Sequence, residues 1–214
     1  MPDTARVRKL VEYLHSLQDF VVVTQIDGPY CHMGATICDA VLQAGVRYET
    51  VVRPRIRRML ETCPEAAKTS GFLRLIQARR LKEVILWNHE EKPRRIRELT
   101  RYLAREGIET EDDLADWLAE EAYRPRLLML RGIGPKTADY LKILAGIPTA
   151  APDRYVRRVL RDAGITAGSY DEERDILNAA ADEMGVDRAV LDHSIWRYMS
   201  RQPRVRNTCR RKVG

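Results

Sequence analysis

Cysteine is scarce in this 214-residue chain, and its four copies, Cys31, Cys38, Cys63 and Cys209, include no Cys-x-x-Cys pair. A chain of this length buries a sizeable core without a disulfide or metal staple. No apolar run approaches the roughly eighteen residues that a membrane span requires. Nothing at the N-terminus resembles a signal peptide, so a reducing cytoplasm is the expected compartment. Strand-like sequence is almost missing. Phe20-Val-Val-Val-Thr-Gln-Ile26 is the one β-branched run; it ends at Asp27-Gly28-Pro29 with no second run to pair with it, which predicts an extended linker. Internal repeats, low-complexity tracts and an obvious interdomain linker are absent as well.

What is present is positive charge and helical periodicity. The net charge is +6, with a pI near 9.2 and 44% hydrophobic residues. Residues 122–161 hold nine Lys/Arg against Asp139 and Asp153, so this segment carries more than the whole net charge. Such a concentration points to nucleic acid as the partner. A second basic stretch, Arg201 to Gly214, has six positive residues and no acid.

Apolar residues recur at helical spacing from Thr4 to Leu17, capped by Asp3, and from Met33 to Ala44, stopped by Gly45. Thr50 to Glu61 reads as a basic helix opened by Pro54, and Gly71 to Ala78 as one capped by Thr69 or Ser70. Leu81 to Trp87 and Lys92 to Arg105 continue the pattern. Thr110-Glu-Asp-Asp113 opens Leu114 to Glu120 with acids that suit the helix dipole, and Trp117 belongs to the core. Arg154 to Asp162, Asp171 to Met184 and Asp187 to Arg201 close the series. The fold class is all-α.

One stretch carries chemistry. In Leu130-Arg-Gly-Ile-Gly-Pro-Lys-Thr-Ala138, Gly132 and Gly134 permit a tight hairpin with positive φ and close backbone approach, while Pro135 suits a first helical position. Helices are expected on both sides, Arg124 to Leu130 and Thr137 to Leu144. The unpaired N–H groups of the second helix start form an anion site. Asp153 lies seventeen residues beyond Lys136 and caps the next helix.

These residues, with Gly146-Ile-Pro-Thr-Ala-Ala-Pro-Asp153 and Tyr155-Val-Arg-Arg-Val159, resemble the helix-hairpin-helix DNA glycosylase superfamily, endonuclease III branch. The motif covers about thirty residues, and a fainter match in helix order spans most of the chain. The resemblance implies two helical domains with DNA in the cleft between them. One is a helical barrel over 30–147, with the hairpin motif at about 124–144. The other combines 1–29 with 148–214, so that the N-terminal helix returns to pack on the C-terminal ones. It implies Lys136 as the nucleophile at C1′, Asp153 as the assisting carboxylate, and Leu130, Arg131, Gly132, Ile133, Gly134, Pro135, Thr137, Arg154 and Arg157 as the DNA grip. A monovalent Na or K ion at the Leu130 and Ile133 carbonyls belongs to the same pattern. Base-pocket and strand-separating candidates are Gln43, Arg47 and Tyr48, with His32 in reach. Wedge candidates are Gln77, Arg79 and Arg80. Leu191-Asp-His-Ser-Ile-Trp-Arg-Tyr-Met199 resembles the penultimate helix of endonuclease III, where four cysteines holding an iron–sulfur cluster follow. Here only Cys209 follows, and one cysteine cannot hold a cluster, so none is expected.

The expected function is therefore base-excision repair by a monomer acting on double-stranded DNA that contains a damaged base or an abasic site. Lys136 at a helix N-terminus beside arginines is primed to lose its proton, and Asp153 can stabilise charge developing at C1′. Attack by Lys136 gives a Schiff base and then β-elimination. A monofunctional glycosylase using Asp153 and water, and a non-catalytic helix-hairpin-helix module, are the alternatives.

Overall fold

The computed structural model describes residues 3–79 and 81–202, and among them there is no β-strand. Twelve α-helices follow in order: α1 Thr4–Ser16, α2 Met33–Leu42, α3 Arg53–Thr62, α4 Thr69–Ala78, α5 Leu81–Val84, α6 Glu91–Arg105, α7 Glu111–Ala119, α8 Arg124–Leu128, α9 Pro135–Leu144, α10 Arg154–Asp162, α11 Tyr170–Met184 and α12 Arg188–Arg201. A π-helical turn, Tyr48–Val52, leads into α3.

Local chemistry sets most helix starts. Asp3, Ser169 and Asp187 cap α1, α11 and α12 with side-chain oxygens, and Thr110 and Asp113 form a reciprocal capping box on α7. The start of α4 departs from expectation. Thr69 is its first helical residue and Lys68 holds the cap position without a side-chain bond, because the backbone N–H of Thr69 is taken by the Glu109 carbonyl at 3.0 Å. Helix α5 also stops at Val84, short of Trp87, and Leu86 adopts φ +51°.

The linker before α2 stays extended. Lacking a strand to pair with, it bonds to helices instead: the Val23 N–H donates to Ser194 Oγ of α12 at 3.0 Å. Helix α2 is buried on every face and serves as the central strut. At its N-terminus the buried Glu111 carboxylate accepts from the N–H groups of Tyr30, Cys31 and His32 at 3.2, 2.8 and 3.3 Å, and from the Thr36 hydroxyl. A negative charge there is stabilised by the helix dipole and four donors.

The buried side chains gather into two main clusters. The first runs from Met33 to Ala145, on α2 to α9. The second joins Val7, Leu10, Val11 and Leu14 of α1 to Val156, Val159 and Leu160 of α10, Ile176 and Leu177 of α11, and Leu191 and Ile195 of α12. Helix α9 lies where they meet. Ile143 packs with Ala151 and Ala189, and the buried Asp139 carboxylate sits 3.5 Å from Arg174 of α11. Alongside, Arg124 of α8 pairs with Asp171 at 2.6 Å. Placing Asp139 and Arg174 in ion-pair distance compensates a carboxylate that burial otherwise pushes toward its neutral form.

Candidate active site around Lys136

Helices α8 and α9 are joined by a hairpin turn. Ile133 N–H closes onto the Leu130 carbonyl at 3.0 Å, and the Ile133 side chain drops into the core. Gly132 takes φ +79°, as a turn of this tightness requires. Gly134 does not share that conformation. It sits at φ −99°, ψ 178°, ordinary extended backbone at the N-cap of α9, with open space where a Cβ would stand. The pair of glycines thus supplies one left-handed position, not two. Behind the first-turn N–H groups of Lys136 and Thr137 the helix has no carbonyl to offer, so they are available to an anion.

Lys136 and Tyr140 are one turn apart on α9 and share a face. The Lys136 ammonium donates to Gln43 Oε1 at 2.5 Å and lies 5.4 Å from the centre of the Tyr140 ring. Burial lowers its pKa, opposed by the negative charges of Asp153, Asp192 and Asp39. Asp153 caps α10 with Oδ1 alone, accepting from the N–H groups of Tyr155 and Val156 at 2.6 and 3.2 Å. Capping and a second role for the other oxygen are therefore compatible.

Two further aspartates complete the group. Asp192 of α12 accepts the Ala151 N–H at 3.3 Å; desolvation, and then Asp153 beside it, push its pKa up to about 7, against the pull of Lys136. Asp39 of α2 is fully buried under three phenols. Tyr30 and Tyr48 donate to its Oδ2 at 2.6 and 3.0 Å, and Tyr140 Oη stands 3.5 Å from both oxygens. Burial raises its pKa to about 6 even though the phenols favour the anion. The Tyr48 ring meets Trp196 edge-on at 6.3 Å, and Trp196 in turn lies 5.2 Å from His193.

The structure thus brings Lys136, Gln43, Tyr48 and Asp153 together. It sets other sequence candidates elsewhere. His32 is buried, its Nδ1 accepts the Ala35 N–H as the N-cap of α2, and its Nε2 bonds the Cys63 carbonyl at 2.9 Å, which uses both ring nitrogens. Arg47 is exposed just ahead of the π-helical turn, and Gln77 and Arg79 project from the exposed end of α4. Arg80 and the basic stretch from residue 203 onward lie outside the described residues. Among the grip candidates, Arg131 is exposed and 3.6 Å from Glu91, Arg154 stacks on Tyr155 at 4.8 Å, and Arg157 is held by Glu173 at 2.9 Å. Pro135 is exposed and Thr137 half-buried. Among the described residues no three His, Cys, Asp or Glu side chains gather in a way that could hold a metal ion.

Asp39, Asp192, Tyr30 and Tyr140 were missed by sequence reasoning. A signal existed for Asp39: it is the single charge in the ten-residue apolar α2, one turn before Gln43. Leu86 was also missed. It is 51% exposed, at positive φ, and its carbonyl is gripped by Arg55 Nε and Nη2 at 3.1 and 2.9 Å. The left-handed backbone costs about 1 kcal/mol or more, and the two Arg55 hydrogen bonds help to hold it.

No curated protein and no solved structure matches the chain. A family model described as a domain of unknown function, DUF8548, matches residues 88–200, which spans α6 to α12 and includes Lys136, Tyr140, Asp153 and Asp192. That match covers just over half of the sequence, and the chain belongs to the DUF8548 family.

Proposed function

We propose that this protein is a DNA glycosylase with AP-lyase activity, acting on a base turned out of double-stranded DNA. The observation that carries the reading is the setting of Lys136: a half-buried amine at the first turn of α9, its pKa lowered by desolvation, with the carboxyls of Asp153 and Asp192 close enough to act on its charge. In this reading the duplex lies in a cleft between a domain of residues 30–147 and one formed by 1–29 with 148–214. The hairpin N–H groups hold a phosphate, and Arg131 and Arg154 add charge to the grip. Leu86, rather than Gln77 or Arg79, fills the gap left by the extruded base. Turning the base out costs a few kcal/mol, least for a damaged or mispaired one.

The chemistry then runs in two stages. The Lys136 amine attacks C1′ as the N-glycosidic bond breaks, and the base leaves with a proton from the neutral carboxyl of Asp192, whose pKa near 7 keeps a protonated fraction at working pH. Asp153, as the anion, stabilises positive charge at C1′. Opening of the sugar ring gives a Schiff base on Lys136, and loss of the 2′ proton expels the 3′ phosphate by β-elimination. A second reading is favoured by Asp192 itself. A carboxyl titrating near 7 beside Asp153 suits activation of a water, which would make the enzyme monofunctional, with Lys136 only touching phosphate.

Borohydride trapping with abasic-site duplex separates these. The expected result is a covalent adduct with wild type and none with Lys136→Ala. If Lys136→Ala releases base at the wild-type rate and wild type traps nothing, the water mechanism holds. Trapping that survives Lys136→Ala rejects Lys136 as the nucleophile.

A further inference from the structure

The C-terminal end of α2, which presents Gln43 to Lys136, has no basic residue of its own in its last turn. Its free carbonyls are instead taken by a lysine from another helix. Lys92, in the first turn of α6, donates from Nζ to the Leu42 and Ala44 carbonyls at 2.5 and 2.6 Å, one on each side of Gln43. The same ammonium stands 4.7 Å over the Trp87 ring, whose neighbour Leu86 is the exposed residue clamped by Arg55; Arg55 itself lies 5.4 Å from that ring. One charge therefore joins the segment that holds Lys136 to the loop that carries Leu86.

The position is an expensive one for a cation. Desolvation, and then Arg95 nearby, lower the Lys92 pKa to about 8, and the ammonium also stands at the positive end of the α6 dipole. An uncommitted lysine would swing into water, as long flexible side chains do.

We infer that Lys92 is a positioning residue, which sets Gln43 against Lys136 and ties that register to the Leu86–Trp87 loop. The inference rests on the proposed function for its purpose, though not for its test. Gln43 shields the Lys136 amine and, by accepting from it, favours the ammonium. Releasing Gln43 therefore uncovers the Lys136 amine and opens it to a reagent in solution.

The test is made on the full-length protein without DNA, by reductive methylation with formaldehyde and cyanoborohydride, reading the rate at Lys136 by peptide mass spectrometry. Lys92→Met keeps the stem over Trp87 and removes the donors; Lys92→Arg keeps charge and donors. The expected result is methylation of Lys136 at least about threefold faster in Lys92→Met and near wild type in Lys92→Arg, with amides 43–47 exchanging about tenfold faster in the former. Unchanged Lys136 labelling and exchange in a folded Lys92→Met would overturn the inference. So would Lys92→Arg behaving like Lys92→Met. If Lys92→Met does not fold, the Lys92→Arg result decides: labelling near wild type supports the inference and accelerated labelling overturns it. Failure of wild type to trap abasic DNA counts against the enzymatic reading alone, because the labelling result judges the Lys92 contact independently.

Discussion

Replacing Asp39 with asparagine should stabilise the protein at alkaline pH. Asp39 is fully buried, and burial lifts its pKa from 3.8 to about 6. The folded state therefore binds this proton more tightly than the unfolded chain does. Stability contributed by the neutral carboxyl is fully present below 3.8, declines as pH rises toward 6, and is lost above it. At about 1.4 kcal/mol per pKa unit, the charged form costs on the order of 3 kcal/mol at pH 8. Asparagine keeps the shape and an acceptor oxygen for the Tyr30 and Tyr48 phenols, and its amide can donate back to a phenol oxygen. One imperfect bond offsets about 1 kcal/mol. The expected net change is a gain of about 2 kcal/mol at pH 8 and a loss of about 0.5 kcal/mol at pH 4, read from urea unfolding with an unchanged slope. An equal stability change at both pH values, or a loss at pH 8, would show that Asp39 is an ordinary hydrogen-bond acceptor and refute the reasoning.

The hairpin glycines should respond differently. Gly132→Ala, at φ +79° with Arg95 where its Cβ would go, should cost about 1–2 kcal/mol, whereas Gly134→Ala, at φ −99° in open space, should stay within about 0.5 kcal/mol; thermal melts compare them. Leu86→Ala should leave the melt nearly unchanged, because the side chain is half exposed, yet slow excision from duplex more than from single strands; equal slowing on both would remove Leu86 from the wedge role. Asp153→Asn keeps an Oδ1 cap on α10, so duplex affinity at fixed salt should hold while single-turnover excision drops by orders of magnitude. Normal excision would leave Asp153 as a cap only.

The sequence by itself determined what depends on neighbours within about one helical turn. Asp3 and Asp153 could be read as caps, Gly45 as a stop, and the all-α class from periodicity, because capping and amphipathic spacing are local properties. The hairpin between α8 and α9, and Lys136 and Asp153 near it, were legible for the same reason. Only the tertiary structure decided which groups meet. Asp39 and Asp192 come from helices some 150 residues apart in the chain, and their pKa values are raised by desolvation, with Asp27 adding to the first and Asp153 to the second, none of which a sequence window contains. His32 read as a pocket candidate because a sequence shows a titratable ring but not that both its nitrogens are already bonded. Leu86 drew no notice, because periodicity only placed it within a helix over Leu81 to Trp87. Its exposure follows from α5 ending two residues earlier and from Arg55, a residue of α3, holding its carbonyl outward.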